Sequence, residues 1–228
     1  MRNVTAKTRP RLDPTVDDSL ARRTYLELRR GIILGHYPQG SRMAEQRLAE
    51  ELEVSRVPLR EAVPQLEKDG FVQTFPRRGA VVTSWDAKRV NDLFDLRVCF
   101  EVGAARYAAR EVAGGRDIHP LRDALRHAQS LVHDGDAYAI AQASVRIHEA
   151  VVELTDNDLM QSLMRSVSGQ VLWLFYLTSQ LDADDAYEDH VKLYDAIASG
   201  NERVAEAVAY AHIEGDRLPS LAALETAG

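Results

Sequence analysis

The chain has 228 residues, 45% of them hydrophobic, which is enough for globular cores. Its 28 Lys and Arg face 35 Asp and Glu, a formal net charge of -7 that argues against nucleic-acid binding. No apolar run nears the roughly 18 residues of a membrane span, and the single cysteine, Cys99, excludes an internal disulfide and a Cys-based zinc finger.

The charge is unevenly spread. Residues 1–83 hold 15 basic against 11 acidic side chains, a net of +4, and residues 84–228 hold 13 against 24, a net of -11. A basic front and an acidic rear predict two domains with different partners. Residues 1–16 mix Arg, Thr and Pro with few apolar anchors and read as a flexible basic arm. The charged N-terminus lacks an apolar signal core, so a soluble, cytoplasmic protein with no membrane contact is expected.

From Ser19 to Gly35, Leu20, Tyr25, Leu28, Ile32 and Ile33 recur at helical spacing, and Tyr37-Pro38-Gln39-Gly40 ends the run. A short helix follows over Glu45 to Leu52. After a break at Glu53-Val54-Ser55, a third helix runs to about Asp69, with Gly70 as its cap. Two β-branched and aromatic runs, Phe71 to Phe75 and Ala80 to Thr83, flank a Pro76-Arg77-Arg78-Gly79 turn. This order predicts a winged helix-turn-helix with a small β-hairpin wing over residues 17–83, then a linker over 84–88.

Ser55 suits the N-cap of the third helix, its hydroxyl bonding a free backbone N–H, and Pro58 falls in the first turn. Arg56 and Arg60 then stand one turn apart, away from Leu59 and Val63. A recognition helix reads base edges with donors near its N-terminus, and the arginine fork matches guanine O6 and N7. Alternatively the two arginines are solvated charges, with Arg60 paired to Glu61 or Glu67. Pro64 lies inside this helix, cannot donate to the Arg60 carbonyl, and predicts a bend.

The segment ILGHYPQGSRMAEQRLAEELEVSRVPLREAVPQLEKDGFVQTFPRRGAVV resembles the winged-helix domain of the GntR family of bacterial transcription regulators, with VSRVPLREA the most specific part. The resemblance implies that Gln46, Ser55, Arg56, Val57, Pro58, Arg60, Arg78 and Gly79 meet a double-stranded DNA operator. Val57 replaces the family's usual threonine and suits a thymine methyl.

From Asp86 onward there is no strand signal. Breaks at Gly114-Gly115, Asp134-Gly135, Thr155-Asp156-Asn157, Asp182 to Asp185 and Gly200-Asn201 predict about six helices in an all-α antiparallel bundle, residues 89–228. The fold class is therefore mostly α. Cys99, among Val98, Phe100 and Val102, is expected in the core. The stretch SVSGQVLWLFYLTS, with Trp173, Phe175 and Tyr176, is apolar on more than one face and reads as a helix buried between subunits or at the bundle centre.

Val90 to His212 resembles the FCD effector domain of the FadR branch of that family, through FDLRVCFEVGAARYAA, SVRIHEAVVELTDNDLM and EDHVKLYDAIASGNERVAEAVAYAHI. The resemblance implies a homodimer and a divalent metal, zinc or similar, held by His148, His190 and His212, with Ser144 where the family has an aspartate ligand. Periodicity alone puts each histidine on an apolar stripe: Val145 and Val152 with His148, Tyr187 and Tyr194 with His190, Val208 and Ala209 with His212. Each is otherwise a hydrogen-bonded core histidine. By resemblance Arg97 and Ser144 face an effector cavity, and Arg97 clamps a carboxylate with two hydrogen bonds. Its alternative is an internal salt bridge with Glu101. The function implied is a transcription regulator controlled by a small organic acid effector. A metal-dependent enzyme is the competing reading, although no general acid or base accompanies the histidines.

Overall fold

A computed structural model describes residues 19–133, 135–178 and 183–227. The expected arm over 1–16 lies outside them. Helix α1 (Leu20–Ile33) begins at Ser19, whose hydroxyl accepts from the Arg22 N–H at 3.1 Å. Helix α2 spans Glu45–Glu51 and α3 Arg56–Lys68. Leu28, Leu48, Leu59 and Leu66 pack between them, each at most 1% exposed. Strands β1 (Val72–Phe75) and β2 (Gly79–Val82) pair antiparallel with Val72 opposite Val82 and Phe75 opposite Gly79.

The hairpin has an extra neighbour that the sequence did not announce. Arg42 bridges Val81, Met43 donates its N–H to the Ala80 carbonyl, and Gly40 donates to the Val82 carbonyl, both at 2.9 Å. Residues 40–43 carry little strand propensity, so only the hairpin edge organises them.

Six further helices follow: α4 (Ala87–Ala113), α5 (His119–Leu131), α6 (Ala137–Leu154), α7 (Asp158–Leu177), α8 (Ala183–Ala198) and α9 (Glu202–Ala227). Asp86, Asp136 and Asn157 cap α4, α6 and α7 by accepting first-turn N–H bonds. Helix α9 lies along α4, α5 packs on α6, and α8 on α9. Their inner faces form a core of Leu121, Ile147, Val151, Ile197 and Ala205.

Three expectations need correction. Cys99 is exposed: on α4 it shares its face with Asp95 and Asp92, while Phe94, Arg97 and Glu101 point inward. Helix α4 starts at Ala87, inside the expected linker. The expected break at Asp182 to Asp185 falls largely inside α8, which already begins at Ala183. Pro64, where a bend is expected, does not end α3, which runs on to Lys68; the proline ring is exposed, so solvent can reach the Arg60 carbonyl that lost its donor.

The two halves share one core. Phe71, just before β1, stacks on Trp173 of α7 with ring centroids 5.4 Å apart, and Trp85 meets the same indole edge-on at 5.7 Å. Gly169 permits this approach, since a Cβ there would lie 3.1 Å from the Phe71 ring. Polar groups close the seam: Arg89 donates to the Gly70 carbonyl at 2.7 Å and to Gln170 Oε1 at 2.5 Å, and Gln170 donates to the Asp69 carbonyl at 2.6 Å. The apolar face of α7 that sequence assigned to a subunit interface or to the bundle centre is thus used between the winged helix and the bundle.

Candidate functional site: an exposed arginine face and a buried histidine cluster

The first candidate surface is the N-terminal end of α3. Ser55 caps it in extended geometry, but no backbone N–H bonds its hydroxyl, contrary to expectation. The exposed Ser55 side chain is free for an outside partner. Arg56 is exposed with no hydrogen-bond or ion-pair partner among the described residues, and Val57 is 63% exposed beside it. Arg60 is exposed as well. It pairs with Glu45 of α2 at 3.2 Å, not with Glu61 or Glu67, because α2 crosses over that side of α3. Gln46 is exposed on α2, with a long 3.4 Å bond to Glu50.

Pro58 is the exception in this group. It is buried against the core and sets the start of the helix, so it presents nothing to a ligand. The wing adds Arg77 and Arg78, both exposed, and Gly79 at φ 75°. Arg77 itself holds the left-handed φ of 65°, a conformation that a non-glycine residue takes only where the turn imposes it. Basic side chains from α3 and the hairpin tip are therefore all in solvent, where a phosphate backbone can meet them.

The second candidate site lies inside the bundle. His148 on α6, His190 on α8 and His212 on α9 converge, their nearest ring nitrogens all within 4.8 Å of one another. All three are buried. His148 Nδ1 faces Glu101 Oε2 at 2.8 Å, and its Nε2 lies 3.3 Å from His190 Nε2. Glu101 also receives Arg97 Nε at 2.9 Å. Arg97 Nη2 approaches His148 Nε2 at 3.3 Å.

Burial shapes the charge states here. It pushes Glu101 upward, but the Arg97 guanidinium and His148 overcome that push and hold the carboxyl at about 2. Burial pushes His190 down to about 3, helped by the charges of His148 and Arg97. His212 is held well below its ordinary value, by burial first and then by the two neighbouring histidines. Neutral imidazoles keep a lone pair, which is what a metal ligand requires.

The donor set fits a divalent ion. Neither ring nitrogen of His212 has a hydrogen-bond partner among the described residues, an expense a core histidine avoids. A gap of about 10 Å³ bordered by Glu101, His148 and His212 adjoins them. The Glu101 contact fixes the His148 ring by its Nδ1, as outer carboxylates do for metal-binding histidines.

Arg97 does not reach a cavity wall. It is 1% exposed and forms the internal pair with Glu101. Two of its guanidinium nitrogens are engaged, and Nη1 alone is left without a partner. Ser144 is half-buried and lines a cavity of about 340 Å³ bounded by α6, α7, α8 and α9, whose floor includes His190 and Phe175. Asp185, Asp189 and Asp216 also line it, and no Lys or Arg does among the described residues. The sequence reading passed over these acids. The available signal was spacing: Asp189 precedes His190, and Asp216 follows His212 by one helical turn.

A winged helix whose basic side chains face solvent, joined to a helical bundle with a ligand-sized cavity, defines a two-domain DNA-binding regulator. The sequence matches two family models that say the same. Residues 20–82 match the model for bacterial regulatory proteins of the gntR family, and residues 92–215, more than half of the chain, match the FCD domain. The chain belongs to the GntR family and carries an FCD domain.

It is 30% identical over 182 residues to the Nta operon transcriptional regulator of Aminobacter aminovorans, covering 78% of this chain and 84% of that one. It is 27% identical over 195 residues to the uncharacterized HTH-type transcriptional regulator YdhC of Bacillus subtilis, covering 84% and 87%. A GntR transcriptional regulator of Rhodococcus sp. RHA1 shares the fold at a TM-score of 0.73, with 24% identity and coverage of 89% and 97%. The protein is a DNA-binding transcription regulator, and the families and relatives it matches are regulators rather than enzymes. No helix among the described residues is long and apolar enough to cross a membrane.

Proposed function

We propose that the protein binds a two-fold operator as a homodimer and releases or grips it in response to a small organic acid bound on a divalent metal in the helical domain. Gln46, Ser55, Arg56, Val57, Arg60, Arg78 and Gly79 form the DNA face, with Arg56 reading a guanine edge in the major groove. Two copies of a domain with a net charge of only +4 need those few placed side chains, because phosphate attraction alone is weak and salt-sensitive.

The observation that carries the effector reading is the meeting of the 340 Å³ cavity and the histidine cluster at His190. His148, His190 and His212 hold the ion, with zinc the best match for imidazole donors. The ion supplies positive charge to the cavity floor. That charge matters because the cavity wall is acidic: a free carboxylate would be repelled by Asp185, Asp189 and Asp216 without a cation between them. Arg97, buried and paired with Glu101, acts on the site only through Glu101, which holds the His148 ring.

Effector binding shifts operator affinity only through different affinities for two domain arrangements. Helix α7 is the connecting element, with Phe175 on the cavity and Trp173 on the winged helix.

Thermal-shift titration with carboxylic acids, with and without zinc, tests the effector half, since a ligand of the folded state raises the melting temperature. Stabilisation by an acid is expected only with zinc present, and the same shift in a chelator rules the metal out. Gel shifts test the other half. Arg56→Ala should weaken operator binding by about 1–3 kcal/mol per half-site at unchanged melting temperature; unaltered affinity removes Arg56 from the DNA face.

A further inference from the structure

Among the described residues, one acid on the cavity wall is both half-buried and without a partner. Asp216 lies on α9 one turn beyond His212, on the same inward face. Its carboxylate lines the 340 Å³ cavity with His190 and Ser144. It has no hydrogen-bond or ion-pair partner among the described residues, while its neighbours Glu214 and Arg217 hold each other at 2.7 Å. Burial pushes its carboxyl up, opposed by the charges of Arg97 and His148 and reinforced by Asp189 and Glu101. A half-buried carboxylate without a protein partner loses part of its hydration and gains from a cation that comes to it.

One turn earlier on α9, a buried histidine has the opposite deficit. Both ring nitrogens of His212 lack hydrogen-bond partners. Ser144, on the opposite wall, offers only a neutral hydroxyl, a weak ligand. Imidazole ligands bring no negative charge to offset a divalent ion, and Glu101 is already committed to Arg97 and His148.

We propose that Asp216 is the acidic ligand of this centre, completing a three-histidine, one-carboxylate site on the cavity side of the ion. This rests on the divalent-ion reading of the histidine cluster. The carboxylate stands outside the 4.8 Å group that the histidine nitrogens form. It reaches an ion there by rotation of its side chain or through one bridging water. Either route puts the acid between metal and effector, so an incoming organic acid competes with Asp216 for the open side of the ion.

The test is zinc titration of the full-length chain, prepared metal-free, read by calorimetry against a competing chelator. Wild type, Asp216→Asn and Asp185→Asn are compared. Asp185 lines the same cavity and is the control for general electrostatics. Asp216→Asn should weaken zinc binding about tenfold or more, with Asp185→Asn close to wild type. Cobalt substitution gives a second reading, because loss of a carboxylate ligand changes the visible absorption of the bound ion.

Without metal, Asp216→Asn should melt no lower than wild type, since it removes an unpaired charge from a half-buried position; this separates a ligand role from a folding role. Equal zinc affinity in Asp216→Asn and wild type overturns the assignment while leaving the histidine site standing. Equal weakening by both variants overturns it too, in favour of diffuse charge. A wild-type chain that binds no zinc at all removes the metal site itself and this ligand with it.

Discussion

Ion pairs in the two halves of the molecule are made of the same side chains and do opposite things. On the winged helix, Arg60 meets Glu45 at 3.2 Å with both side chains largely in solvent, and Arg56 has no partner. In the bundle, Arg97 meets Glu101 at 2.9 Å with the pair 1% and 5% exposed. Water screens the first pair, so it contributes little to stability and its arginine remains available to another anion. The second pair has left water, so each member depends on the other and on His148. A surface that reads phosphate needs charges that the fold does not use. A pocket that senses a ligand needs charges that the fold holds still.

The sharpest way to break this contrast is Glu101→Ala. It strands the buried Arg97 and removes the acceptor of His148 Nδ1, and should cost about 3–5 kcal/mol in denaturant unfolding. A loss below about 1 kcal/mol would mean that water reaches this pair as it reaches the other. Trp173→Ala probes the seam that joins the two regions. Removing the indole from between Phe71 and Trp85 should cost about 3–5 kcal/mol, and calorimetry should then resolve separate melting of winged helix and bundle. A single unshifted transition would show that the seam is held elsewhere. Arg60→Ala is the mild counterpart of Glu101→Ala. It should change stability by less than about 1 kcal/mol while weakening operator binding in gel shifts; a large stability loss would show that the Arg60–Glu45 pair holds α2 on α3.

Much of this was legible before any coordinates. The helix α1 start at Ser19 and the hairpin turn at Gly79 follow from capping and turn chemistry, which act within a few residues; α3 starts after Ser55 as expected, but without the expected cap bond. The inward direction of His148, His190 and His212 followed from apolar periodicity. The same reasoning failed for Cys99, because its apolar neighbours Val98 and Phe100 lie on other faces of α4. It misplaced the Arg60 partner because helical spacing lists only partners on the same helix, and Glu45 comes from α2. Pro58 sits in a motif of DNA-facing residues, yet its own task is to start the helix.

The sequence by itself determined the order of the elements, the charge division between basic front and acidic rear, and the family. These rest on spacing within one element or on composition, both complete in the linear chain. The tertiary structure decided what meets what. It placed Trp173 against Phe71 across about a hundred residues, paired residues 40–43 with the wing, and put Asp216 unpaired on the wall of a cavity floored by His190. The physical reason is that contacts between elements depend on how α4, α6, α7, α8 and α9 pack around a shared interior, and that packing is set by the whole core at once rather than by any local run of residues.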